Sequence, residues 1–431
     1  MEKVKIGMFM TLGIAVLAIY FGDFIRNKLP VLKKYCLPSS VVGGTIFALI
    51  SLALYKANVY ELSYDSSTVN SLFYCLFFAA SGSAASLALL KKGGKLVVIF
   101  AILAAVLAFL QNVISVGIGL LMKVNPMIAL MTGSTPMTGG HGNAASFSPT
   151  AIQAVNDLLA KATNIDASTA SEIVARVAPA SEVALAAATF GLIAGCIFGG
   201  PFGNFMVKKH KLEDPELDGK ETAAVSSGEE VGTPIYKHEV IRAVLMLCVA
   251  CGFGQGMFML LKYFNLTLPI HVCCMLGGII VRLILDRKKD TKESLYEALD
   301  TVGDFSLALF VSISIITMKL WQLQGLGLAM VVMLMAQVVF ILIFCYFLTF
   351  KLLGKNYDSA VMAVGHVGFG LGAVPVSMTT MQTVCQKYRY SKLAFFVVPV
   401  IGGFISNLSN AVIISGFINY CGKLIVEKGI F

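Results

Sequence analysis

The chain has 431 residues, 57% of them hydrophobic and only 13% charged, with a mean hydropathy of +0.82. Soluble domains carry about 45–50% apolar and about 25% charged residues, so a water-soluble enzyme is excluded. A bilayer-spanning helix needs about 20 apolar residues, and this length holds ten with loops to spare; the +9 net charge is then an orientation signal.

In chain order, apolar runs predict spans at 6–22, 36–55, 70–90, 97–122, 178–206, 241–262, 268–285, 303–321, 326–350 and 393–420. The first run has no A-x-A cleavage site after it and is taken as a transmembrane helix rather than a signal peptide. Two further uncharged stretches, 124–156 and 359–386, are interrupted by glycines and small polar residues. A hydrophilic loop, 207–240, carries Lys208, Lys209, Lys211, Glu213, Asp214, Glu216 and Asp218. It divides the chain into halves of five spans and one glycine-rich stretch each. Nearly all ten cysteines lie in apolar runs, and Cys248-x-x-Cys251 has no second ligand pair, so packing is expected of it rather than metal or redox chemistry.

The halves match in residues as well as in layout. Gln111-Asn112-Val113 aligns with Gln337-Val338-Val339, and Gly140-His141-Gly142 with Gly365-His366-Val367-Gly368. Pro149 answers Pro375, and Gly199-Gly200 with Asn204 answers Gly402-Gly403 with Asn407. The expected fold is an all-α polytopic membrane protein of two inverted five-helix repeats, each with a glycine-rich re-entrant loop or broken helix. Five spans per half force the second half to enter in the opposite sense. With 207–240 in the cytoplasm and both termini outside, most of the 33 basic residues fall inside.

The glycine-rich stretches carry the chemistry. Non-helical backbone at membrane depth is tolerated only when buried in protein or lining a wet cavity. Broken helices there expose N–H groups that attract carboxylates, and carbonyls that coordinate sodium. The same glycines in pairs such as Gly43-Gly44 and Gly277-Gly278 are explained by close helix packing alone. Ser134, Thr135 and Thr138 would share a helical face beside Gly140, Gly142 and Asn143. His141 and His366 are equivalent by symmetry and either contact substrate or brace a glycine turn. Asn407 and Asn410 on the last span need a partner, either a sodium ion or a loop carbonyl. Glu182, Asp304 and Asp358 are the acids near the apolar runs, and Glu182 is the best placed. Arginine is absent from the middle of every span, so anionic groups are expected to meet helix tips, hydroxyls and amides. No Ser/His/Asp, H-E-x-x-H or paired-Asp arrangement is present, which argues against an intramembrane enzyme.

The run Gly354-Lys355-Asn356-Tyr357-Asp358 through Gly365-His366-Val367-Gly368-Phe369-Gly370-Leu371-Gly372-Ala373-Val374-Pro375, with Met381-Gln382 after it, resembles the sodium/glutamate symporters of bacteria. So do Gly139-Gly140-His141-Gly142, Ser181-Glu182-Val183-Ala184, Ala188-Thr189-Phe190-Gly191, Lys319-Leu320-Trp321 and Phe396-Val397-Val398-Pro399. The resemblance implies sodium-coupled glutamate uptake across the bacterial cytoplasmic membrane by a homodimer with an elevator-like movement. It implies Na+ as the co-transported ion, and neither an organic cofactor nor a nucleic-acid partner. Carried over, its loop motifs fall on Gly139 to Gly142 and Gly365 to Gly372. Substrate contacts are expected among Ser134, Thr135, Thr138, Gly140, His141, Gly142, Asn143, Gly368, Gly370, Gly372 and Ser377. Sodium is expected among Glu182, Asp304, Asn407 and Asn410. Asn143 departs from a small hydroxyl residue and Asp304 from an uncharged amide. The implied division is a static, dimerising scaffold at 1–66 and 235–300, a moving core at 67–206 and 301–422, and a cytoplasmic linker at 207–234.

Overall fold

A computed structural model describes residues 2–34, 37–84, 87–162, 165–212, 236–263, 269–287, 293–323 and 326–426. Most of the expected linker, 207–234, lies outside them. The chain opens with β1 (Glu2–Ile6) and α1 (Met8–Lys28), then a short α2 (Pro30–Lys34), α3 (Ser39–Lys56), β2 (Tyr60–Tyr64) and α4 (Ser67–Ser83). There follow α5 (Leu87–Leu121), the short α6 (Pro126–Leu130) and α7 (Ser134–Met137), α8 (Gly140–Lys161), α9 (Ala167–Val177) and α10 (Ala180–Lys209). After the linker come α11 (Lys237–Tyr263), α12 (Ile270–Arg287), α13 (Glu293–Ile316), α14 (Gly327–Leu352), α15 (Tyr357–Leu371), α16 (Val374–Lys387) and α17 (Lys392–Val426).

Eight helical segments among the described residues are long and apolar enough to cross a membrane, against ten expected. The other two are α4, which stops at 17 residues, and α12, whose last turns carry Arg282, Asp286 and Arg287. The outward faces are apolar, with Phe9, Leu72, Ile102, Leu121 and Leu328 all exposed, as lipid contact requires.

The all-α expectation needs one correction. The residues leading into the first expected span, Glu2 to its opening Ile6, form β1, which pairs in parallel with β2, Lys3 opposite Glu61. The Glu-Lys-Val-Lys-Ile alternation has the period of a strand, and Lys3 Nζ lies 3.6 Å from Glu61. The α1–α3 hairpin returns the chain to the end where it began and serves as the crossover that a parallel pair requires. Helix α1 starts at Met8 and runs on to Lys28, beyond the expected end at residue 22.

The helices pack in two groups. One comprises α1, α3, α4, α11, α12 and α13; the other comprises α5 to α8, α10 and α14 to α17. Helices α4 and α13, which hold residues 67–83 and 301–316 of the expected moving core, pack on the first group, where α4 lies against α12 and α13. The close contact is made by small residues: a Cβ on Gly43 would lie 1.7 Å from the Ala18 carbonyl oxygen, and one on Gly278 2.0 Å from that of Ala79. Helices that meet backbone to backbone gain dispersion contact where lipid offers no hydrophobic drive.

In the second group α15 and α16 form an antiparallel hairpin. The Arg389 amide donates to the Tyr357 hydroxyl at 3.2 Å at its base, and the Ser377 hydroxyl donates to the Gly365 carbonyl at 2.7 Å nearer its tip. Asn356 caps α15 by accepting from the Ser359 amide, and Asp358 accepts from the Ser391 hydroxyl at 2.6 Å. Asp358 therefore belongs to the base of the hairpin. The tip is Gly372-Ala373, of which Ala373 is extended.

Candidate functional site

Helix α8 begins at Gly140, whose φ of +59° is left-handed. A Cβ there would also lie 2.6 Å from the Gly372 carbonyl oxygen, so the two interruptions touch, and only glycine fits. Neither α8 nor α16 has a side-chain cap at its N-terminus. The first N–H groups of a helix lack intrahelical acceptors and carry the positive end of its dipole. Here two such ends border one cavity of about 960 Å³ between the two helix groups, which Gly140, His141, Gly142, Val374 and Pro375 help to line. The opposite wall comes from the first group, with Arg26 from α1, Phe77 and Ser81 from α4, and Asp300, Asp304 and Leu307 from α13.

Behind the first tip lies a buried polar network. Gln111 on α5 donates to the Gly370 carbonyl at 2.8 Å and accepts from the Thr138 hydroxyl at 2.6 Å. Its own carbonyl accepts from Gln337 at 2.8 Å. Asn112 Oδ1 accepts from the Ser134 amide at 2.8 Å. The Ser134 hydroxyl donates to Asn410 Oδ1 at 2.6 Å, and Asn410 Nδ2 donates to the Ser134 carbonyl at 3.1 Å. One glutamine thus ties both interrupted stretches to α5, and leaving such groups unpaired would cost about 1–3 kcal/mol each.

Of the expected residues, Thr138, Gly140, His141, Gly142, Gly372, Asp304 and Asn407 reach the cavity wall. His141 Nε2 lies 2.9 Å from the Thr189 hydroxyl, and Asn407 Nδ2 donates to the Gly403 carbonyl at 2.7 Å. The remainder sit behind the wall. Ser134 and Asn410 pair with each other, and Ser377 is spent on the Gly365 carbonyl. Gly368 lets α15 approach Ser377, and Gly370 admits Ile341 and Leu107. Thr135 Oγ1 and Asn143 Nδ2 are buried without a partner among the described residues. Glu182 accepts from the Lys319 amide at 3.1 Å, leaving its second oxygen buried and without a partner among the described residues.

The model of the family described as "Sodium/glutamate symporter" matches residues 4–390. The sodium/glutamate symporter of Haemophilus influenzae is 34% identical over 94% of this chain and 95% of its own length. That of Escherichia coli is 33% identical over the same shares. The chain belongs to the sodium/glutamate symporter family. It is a multi-pass membrane transporter and not an enzyme. The sodium proton antiporter of Methanocaldococcus jannaschii, at pH 8, aligns over 98% of the chain and 99% of its own with a TM-score of 0.41 and 14% identity.

Two features of this symporter were not singled out as site residues from sequence. Gln111, Asn112 and Gln337 served only as symmetry markers, although polar amides in an otherwise apolar run signal a buried network. Arg26 and Asp300 do not stand out in the sequence from the other charges near span ends. The signal for Asp300 is its spacing of one helical turn from Asp304, which puts both carboxylates on one face of α13.

Proposed function

We propose that this symporter imports glutamate together with sodium across the bacterial cytoplasmic membrane. The observation that carries this reading is the meeting of two uncapped helix N-termini at one cavity. Glutamate presents two carboxylates, and each tip offers N–H groups for one of them. His141 and Thr138 on the first tip complete the contacts, with Gly140, Gly142 and Gly372 keeping the backbone accessible. The ammonium is met on the opposite wall by Asp304.

Sodium goes to the oxygens behind the first tip. Ser134, Asn410 and the unpartnered hydroxyl of Thr135 form one candidate set, and the free oxygen of Glu182 a second. Asn407 lies at the cavity edge. Glutamate carries one net negative charge, which opposes entry into a negative interior by about 2.3 kcal/mol per 100 mV. Two or more sodium ions make the cycle electropositive and add their own gradient.

Matched residues in the two halves, and an interrupted helix in each, support two inverted repeats with re-entrant hairpins. Because the cavity lies between two helix groups, we assign alternating access to an elevator-like movement of the second group against the first. The static part comprises 1–66 and 235–300, extended to α4 and α13 because they pack there. The exposed apolar faces of α1 and α11 support its use as a homodimer scaffold. The basic residues support a cytoplasmic linker and external termini.

The deciding test is uptake of radiolabelled L-glutamate into proteoliposomes under an inward Na+ gradient or an equal K+ gradient. Accumulation should require sodium, rise with an inside-negative potential and collapse with a sodium ionophore. Sodium-driven uptake of another carboxylate in place of glutamate would overturn the substrate, and equilibration without accumulation would overturn the coupling.

A further inference from the structure

We propose that Arg26, on the wall facing the glycine tips, is the residue that receives a substrate carboxylate at the cavity's linker end and selects there for an anionic side chain. The inference deepens the glutamate reading and rests on it. Arg26 lies in the last turn of α1, one span in from the external N-terminus proposed above and so on the linker side, and is the only lysine or arginine among the described residues lining the cavity. Its Nη1 donates to the Ser39 hydroxyl at 3.3 Å, while its Nε is buried and has no hydrogen-bond partner among the described residues. The nearest acid on its own helix is already engaged: Asp23 accepts from Ser39 at 3.1 Å and from Asn27 at 3.0 Å. Among the described residues Arg26 makes no ion pair within 4 Å.

A guanidinium is planar, always charged, and presents paired N–H donors matched to a carboxylate. Half-buried and unpaired, it lacks the anion that would offset its desolvation. The cavity joins it to Gly140 and Gly372, where a glutamate carboxylate is held by backbone N–H groups. A substrate leaving those tips toward the linker end passes from one anion site to another inside the same enclosure. Asp300 and Asp304 lie on the wall with Arg26 and offer negative charge to the ammonium. That arrangement is bipolar: it favours a molecule with an ammonium at one end and a carboxylate beyond it. Glutamine, which lacks the second carboxylate, leaves the guanidinium unpaired.

The alternative role for Arg26 is structural, as a tie between α1 and α3 through Ser39 or as a favourable charge at the end of α1. The two roles separate by sidedness. In right-side-out and inside-out membrane vesicles, KM for L-glutamate is measured at each face for wild type, Arg26→Gln, Arg26→Lys and Ser39→Ala. Loss of a charge-assisted hydrogen bond predicts that Arg26→Gln raises KM about tenfold or more at the linker face and less than about twofold at the other. The preference for glutamate over glutamine should fall at the linker face alone. Lysine keeps the charge without the planar fork, so Arg26→Lys should give an intermediate KM, and this variant carries the test if Arg26→Gln fails to reach the membrane. Ser39→Ala should leave both KM values near wild type. An unchanged KM at the linker face in both arginine variants, an equal loss at both faces, or a Ser39→Ala variant that reproduces the arginine phenotype would overturn the proposal. Wild-type vesicles without sodium-dependent glutamate uptake would instead overturn the substrate reading beneath it.

Discussion

The two interrupted stretches align in sequence and do different work. The first, around Gly140, brings side chains: Thr138 and His141 reach the cavity, and Ser134 and Asn410 hold each other behind it. The second, around Gly372, brings mostly backbone. Its hydroxyl, Ser377, closes the hairpin, and Gly368 and Gly370 serve close packing. The histidines show the contrast best. His141 lines the cavity beside Thr189, whereas His366 is enclosed by Phe100, Phe344 and Phe369 and lies 2.9 Å from the Thr349 hydroxyl. A single wide π-type turn at Cys345–Thr349 in α14 contains Thr349. Positions that align between the two halves of the sequence therefore need not keep equivalent surroundings. One lines the cavity and the other packs behind it.

The largest test of that asymmetry is at the point of contact. Gly140→Ala adds left-handed strain of about 1–2 kcal/mol and a Cβ against the Gly372 carbonyl. Sodium-driven uptake should fall about a hundredfold or more, with normal membrane insertion by size-exclusion profile. Gly372→Ala should cost about tenfold, because its Cβ would meet the Leu192 backbone at 3.1 Å without positive-φ strain. Next comes the shared anchor. Gln111→Leu strands both the Gly370 carbonyl and the Thr138 hydroxyl, so maximal uptake should drop about tenfold or more and thermal stability should fall by about 1–3 kcal/mol. If uptake survives this change, the network is dispensable and the two stretches are held independently.

The histidine pair should then part. His141→Ala is expected to raise KM for glutamate about tenfold, whereas His366→Leu should lower thermal stability by about 1 kcal/mol and leave KM unchanged. Equal KM effects would restore functional symmetry. The smallest expected difference is between two serines. Ser134→Ala should raise the sodium concentration for half-maximal uptake about threefold to tenfold. Ser377→Ala should leave sodium and glutamate dependence alone and cost about 1 kcal/mol of stability.

Much of this site was legible in the sequence because irregular backbone in an apolar environment has few explanations. Gly139 to Gly142 and Gly372 in matched uncharged stretches were readable as interruptions, and the interruptions do meet. The side-chain assignments were less legible. Ser377 and Gly370 lie within the same motif as Gly372 yet turn away from the cavity, because helical direction around a tip is set by how α15 packs on α16. Asp304 was recognised from its unusual charge and does reach the cavity, but its neighbour Asp300 was passed over.

By itself the sequence determined the membrane environment, the helical content, the family and the two glycine interruptions, since each follows from local composition or from an ordered motif. It also held the alternation that makes β1 a strand, but the apolar run that follows masked it. Only the tertiary structure decided that α4 and α13 pack with α1, α3, α11 and α12. Hydropathy says that a helix is apolar without saying which neighbour it touches. Tertiary structure also decided that Arg26, at a helix end and ordinary in sequence, lines the same cavity as Gly140 and Gly372. Residues more than a hundred positions apart share a wall because helices of two separate groups enclose one space, and no local pattern encodes that meeting.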